Sequence, residues 1–290
     1  MHLHKFLRLG MDAVSNTLER LGHTLLPNRC LLCMATVKKH DGAGSVLCEG
    51  CIDDLPQAGP ACPRCAEPLK SLRPLTTTPD LASAPAGDCS TCRTEAPAFE
   101  RSVAPWRYEF PLDSLISAFK YRHQLALAQF FGEQLAQQVQ RQIARGALTR
   151  PDVLLAMPLH PRRLAERGFN QSLLVAQIVS RRLQLPLQSH WLQRVRHTPS
   201  QTGLPWQQRG ANVESAFRCK ADVAGQHVAV VDDVMTTGSS LQEVARTLKL
   251  AGAIRVDNWV LARTAPAGVL ARTAQAGLPA PAWSAPIERD

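Results

Sequence analysis

The sequence predicts an α/β domain built on a parallel sheet, with a small metal-organised unit ahead of it. Two observations carry this. Continuous apolar stretches alternate with helical ones between residues 112 and 262, and eight of the nine cysteines fall into four CxxC pairs between residues 30 and 92. A length of 290 residues suits one large domain plus a small one, and 45% hydrophobic with 20% charged residues is ordinary for a globular chain. Lysine and arginine outnumber aspartate and glutamate by 33 to 24, a formal charge of +9 that favours phosphorylated or nucleic-acid partners without identifying one.

Residues 1–27 space Leu3, Phe6, Leu7, Met11, Val14 and Leu18 at helical intervals with charges between them, which predicts an amphipathic helix. The stretch lacks the continuous apolar centre and small-residue cleavage site of a secretory signal. No apolar run approaches the roughly 20 residues of a membrane helix. The expectations are a cytoplasmic location and no stable membrane insertion.

The pairs Cys30/Cys33, Cys48/Cys51, Cys62/Cys65 and Cys89/Cys92 define residues 28–98 as a metal-binding unit. Two residues between cysteines let both thiolates of a turn face one tetrahedral ion, and two such turns make a four-thiolate zinc site. Eight ligands imply two Zn²⁺ sites, joined either in sequential pairs or cross-braced. Disulfides suit an exported chain, and iron–sulfur clusters favour more clustered spacing, so structural zinc fits better. Few apolar residues lie between the cysteines, so metal supplies the stability that a core of this size cannot. Cys219, alone between Arg218 and Lys220, is assigned no role.

Residues 70–88 are rich in Pro, Thr, Ala and Ser and read as a loop. Within residues 99–264, helices are predicted over 112–122, 125–143, 170–184 and 239–253. Strands are predicted over 152–159, 227–233 and 255–262. Apolar strands alternating with helices indicate a parallel sheet covered on both faces. Residues 265–290 read as a flexible Ala/Pro-rich tail.

The chemistry concentrates in HVAVVDDVMTTGSS, residues 227–240. Ligands of open parallel sheets bind beyond the carboxyl ends of the strands, where Asp232 and Asp233 fall. The hydroxyl-rich loop that follows ends on a helix N-terminus, an arrangement that suits a phosphate monoester, while two carboxylates beside it suit a vicinal diol. Together these describe a site for a ribose 5-phosphate. A P-loop would need a lysine after its glycine, which is absent, and a solvated charged turn leaves the register of hydroxyls, glycine and aspartates unexplained.

The motif resembles the 5-phosphoribosyl-1-pyrophosphate (PRPP) motif of type I phosphoribosyltransferases. That resemblance implies their parallel-sheet fold, with Asp232 and Asp233, the catalytic pair, holding the ribose hydroxyls, and Thr236, Thr237, Gly238, Ser239 and Ser240 holding the 5-phosphate. It places the pyrophosphate loop after the first strand, where Arg162, Arg163 and Arg167 lie, and a closing loop within 196–217, where Arg196, Gln201, Arg209 and Asn212 are candidates. The double zinc ribbon, FKYR, RRLAERGFNQ and NVESAF together resemble the ComF family over residues 25–264. Ala66 departs from that family's usual glycine, and the 70–88 loop is long for it.

The resemblance implies Mg²⁺ bound with PRPP, and catalysis by positioning and charge neutralisation with no nucleophilic side chain. It also implies a role in the uptake or use of DNA, with DNA-uptake proteins as partners. The alternative is a non-catalytic single-stranded-DNA-binding protein. Its surface would combine the zinc ribbons with Trp106, Tyr108, Phe119 and Tyr121 interleaved with Arg107, Lys120 and Arg122. Aromatics at that spacing also suit a core. The acceptor base, expected to be contacted from residues 100–125, is not legible, and neither is the oligomeric state.

Overall fold

A computed structural model describes residues 29–37, 46–69, 87–196 and 215–265. The helix expected over 1–27, the tail from 266 and candidates Gln201, Arg209 and Asn212 lie outside the described residues. Two compact units divide between Asp54 and Leu55.

In the first unit, Cys30 and Cys33 lie on a tight turn closed by Cys30 N–H donating to Ala35 O at 2.8 Å. The short helix α1 (Glu49–Asp53) follows Cys48 and carries Cys51. The second unit repeats this plan. Cys62 N–H donates to Glu67 O at 2.8 Å, and α2 (Ser90–Thr94) follows Cys89 and carries Cys92. Met34 and Ala66, each just after the second cysteine of its turn, have φ of 61° and 54°. This left-handed conformation is one that side chains disfavour, so it accounts for the glycine expected at position 66.

The larger unit continues with β1 (Arg101–Val103), β2 (Trp106–Arg107), α3 (Leu112–Tyr121), α4 (Ala126–Ala144) and β3 (Val153–Ala156). It goes on through α5 (Pro161–Arg167), α6 (Gln171–Leu183), β4 (Leu192–Arg194) and β5 (Phe217–Cys219), and ends with β6 (His227–Met235), α7 (Ser239–Leu250) and β7 (Arg255–Arg263). The sheet runs β1-β7-β6-β3, with β2 extending β1 along β7. Every pairing in it is parallel, with Val231 opposite Trp259 and Leu155 opposite Val230. The sequence stretches expected as strands are the adjacent β7, β6 and β3 of this sheet, buried along nearly their whole length.

Helix α4 packs against α6 closely enough that a Cβ on Gly132 would stand 2.6 Å from Ile178 Cβ. A second buried cluster joins Leu241, Val244 and Leu248 of α7 to Val228 and Val256 of the sheet, and Cys62, Cys65, Cys89 and Cys92 belong to it. The second ribbon is thus part of this unit's core. Trp106, 2% exposed, stacks on Phe130 at 5.9 Å between ring centroids, and Phe119 is fully buried beside Phe131. These two aromatics belong to the core and leave the stacking surface considered for DNA without them.

Candidate functional site

β6 runs two residues past the aspartates, to Met235, before the chain turns at Gly238, whose φ is 82°. Asp232 and Asp233 follow four fully buried residues, and the strand carries them to its carboxyl end. Asp232 shares a shallow pocket with Thr236, Gly238, Ser239 and Ser240. Gly238 caps α7 without a side-chain acceptor, so the N–H groups of Ser240 and Leu241 in its first turn remain available to an anion. Thr237 Oγ1 and Ser239 Oγ are 2.7 Å apart and brace the loop, with Ser239 N–H donating to Thr237 Oγ1 at 3.2 Å.

The two carboxylates differ in their surroundings. Asp233, 6% exposed, accepts from three groups: Val234 N–H at 2.6 Å on Oδ1, and Gln171 Nε2 at 2.7 Å and Lys120 Nζ at 2.9 Å on Oδ2. Asp232 accepts on Oδ1 from Ser172 Oγ at 3.0 Å and from Asp233 N–H at 2.8 Å. Burial, and then the neighbouring Asp233, push the Asp232 carboxyl up to about 7. Burial also works against the Lys120 ammonium, but Asp233 beside it outweighs that effect and raises its pKa. Adjacent buried carboxylates repel, and Lys120 offsets one of the two charges.

The arginine-bearing segment, expected as a loop, contains α5. Pro161 begins that helix, His160 Nδ1 accepts from Arg162 N–H at 3.3 Å, and Gly168 ends it in the left-handed region. Asn170 then caps α6 and donates from Nδ2 to Met157 O at 3.0 Å, pinning the segment to the end of β3. Arg167 donates to Gln171 Oε1 at 2.6 Å and so joins the network around Asp233. Arg163 acts on Arg194, whose pKa is lowered by burial and then by Arg163. Arg162 is exposed on α5. Arg194 and Arg196 flank the start of the segment expected to close over the site, and β4 pairs with β5 to bring its two ends together.

Lys120, Gln171, Ser172 and Arg194 are the site residues that sequence reasoning missed. Gln171 and Ser172 sit at the start of a recognised helix, but their approach to the aspartates depends on how α6 meets β6. Lys120 was a candidate for a DNA surface and instead points inward to Asp233. Of that surface, Tyr121 is exposed at 67%, with the Arg167 guanidinium 5.1 Å from its ring centroid.

The two ribbons resolve the ligand pairing as sequential. In each set, Cys30/Cys33/Cys48/Cys51 and Cys62/Cys65/Cys89/Cys92, all four sulfurs lie within 4.8 Å of one another. Neighbouring sulfurs are 3.6 Å apart between Cys33 and Cys48, and 3.7 Å between Cys65 and Cys89. Zinc–sulfur bonds of about 2.3 Å in a tetrahedron require edges of roughly 3.8 Å, so both sets fit Zn²⁺. Without a cation the four thiols cannot all ionise. The hydrogen bond from Cys65 lowers the Cys62 thiol to about 4, and the same interaction drives Cys65 upward.

The fold and these sites define a protein with a phosphoribosyltransferase domain behind a double zinc ribbon. Residues 170–274 match the family described as Phosphoribosyl transferase domain, and residues 21–93 match Double zinc ribbon domain. Among relatives, "DNA utilization protein YhgH" of Salmonella typhimurium is 33% identical over 82% of this chain and 98% of its own. "Competence protein F" of Haemophilus influenzae is 30% identical over 81% and 96%, and "Competence protein ComFC" of Bacillus subtilis is 26% identical over 70% and 84%. The chain belongs to the ComF family. Among the described residues, no helix is long and apolar enough to cross a membrane.

Proposed function

We propose that this protein binds PRPP with Mg²⁺ at the carboxyl end of β6 and serves the uptake or use of DNA. One observation carries the reading: Asp232 and the hydroxyl-rich loop line the same pocket, which puts a diol acceptor beside an anion seat. Asp232 and Asp233 take the ribose hydroxyls, and Thr236, Thr237, Gly238, Ser239 and Ser240 take the 5-phosphate. Arg162, Arg163, Arg167 and Arg209 are the pyrophosphate-side candidates, of which Arg167 donates to Gln171 in the network around Asp233. The fit to Mg²⁺ rests on the donor set, since hard oxygen ligands from carboxylate, hydroxyl and phosphate suit it. When bound with PRPP it would neutralise pyrophosphate charge. The names of the relatives support the DNA role.

Calorimetric titration of the zinc-loaded protein with PRPP and Mg²⁺ tests this, beside an Asp232→Asn/Asp233→Asn variant. Binding by the wild type and its loss in the variant is the expected result. Absence of binding in both overturns the reading and leaves single-stranded DNA as the ligand to test. The +9 charge and exposed Tyr121 favour that second reading, and its affinity would fall steeply with salt.

A further inference from the structure

Arg263, the last residue of β7, is 5% exposed. A guanidinium at that depth needs its donors matched, and Glu67 Oε2 stands 3.9 Å from Nη2. Apart from Thr264 Oγ1, 3.4 Å from Nη1, the remaining contacts go to main-chain carbonyls. Nε donates to Cys65 O at 3.0 Å. Nη1 donates to Met235 O at 3.0 Å, to Thr236 O, and to Thr264 O at 3.1 Å.

Cys65 belongs to the second four-sulfur set, while Met235 and Thr236 open the phosphate loop. One rigid fork therefore touches both. We propose that Arg263 is a positioning residue that ties the phosphate loop's shape to the metal-loaded state of the second ribbon. This rests on the loop being the phosphate seat. Because the peptide bond is planar and trans, a carbonyl and the N–H of the next residue point in opposite directions. Holding the carbonyls of Met235 and Thr236 against Arg263 turns the N–H groups of Thr236 and Thr237 away from it, as a loop receiving phosphate needs.

At the other end, the Cys65 carbonyl is fixed by the turn that presents its sulfur. Ala66 N–H donates to Cys62 O at 2.8 Å, and Ala66 adopts the left-handed conformation. Metal on the four sulfurs is what holds that strained turn closed. When the metal leaves, Arg263 loses a fixed acceptor and its fork can shift, so the loop loses one of its two anchors, the other being Thr264, whose N–H donates to Met235 O at 3.1 Å and whose Oγ1 donates to Thr236 O at 3.3 Å. Lysine cannot substitute, since a single ammonium lacks the planar fork that reaches both segments.

The test is hydrogen exchange on the full chain in a Cys30→Ser/Cys33→Ser background, which confines zinc to the second site, read without PRPP. Chelation is expected to speed exchange of residues 235–241 by about tenfold or more, with the amides of α4 and α6 still protected. Arg263→Met with zinc bound should speed the same residues, Arg263→Lys should not rescue them, and chelation of Arg263→Met should add little.

Zinc release with unchanged loop exchange overturns the proposal. So does additive behaviour of chelation and Arg263→Met, or loss of protection spreading to α4 and α6. If Arg263→Met does not fold, the wild-type chelation result decides alone. In a parallel titration, Arg263→Lys should weaken PRPP binding about tenfold, or 1.4 kcal/mol. A wild type that binds no PRPP removes the phosphate reading, while the exchange data still decide the coupling.

Discussion

Asp233 has a cation, an amide and a backbone N–H around it, whereas Asp232 faces the loop pocket. Removing Lys120 strands a buried carboxylate. Lys120→Met should cost about 3–5 kcal/mol in denaturant melts. Asp232 titrates the other way from a salt-bridged acid. Its folded value near 7 lies above the roughly 3.9 of an unfolded chain. Its contribution to stability is therefore full below about pH 4 and is lost as pH rises through about 7. Wild-type-minus-variant melts with Asp232→Asn should show that decline, and PRPP affinity should rise across the same interval and level off above it. The aspartates were legible because they adjoin in the chain. Lys120 was not, because its partner lies far along the sequence and only the packing of α3 beside β6 brings them together.

β3, β6 and β7 were legible as continuous apolar runs because both of their faces are covered. β1, β2, β4 and β5 span two or three residues each, too few to show any period. Helix α5 buries none of its residues, so it carries no apolar stripe. Its signals were Pro161 at the start and Gly168 just past the end, both of which also suit a loop. The contact of α4 with α6 was equally hidden, since Gly132 reads as a defect in a helix until Ile178 is set against it. Gly132→Ala should destabilise by about 1–3 kcal/mol despite alanine's better helix propensity. Adding Ile178→Ala should return part of that loss, which a double-mutant cycle of denaturant melts would detect.

For the molecule as a whole, eight cysteines grouped in sequence suggested one region of two ribbons, but the second set lies within the core cluster of the larger unit. Spacing reveals ligands and says nothing of what packs on them. Cys65 Sγ lies 3.7 Å from Cys89 Sγ, so a metal on these sulfurs ties together the two ends of the intervening segment. Doubling a loop's length costs only about 0.6 kcal/mol once its ends are held. A single backbone cut within residues 70–86 should therefore yield two polypeptides that elute together from a sizing column and separate when a chelator is added. In that sense the ion acts as a covalent link would, but one that can be undone and remade.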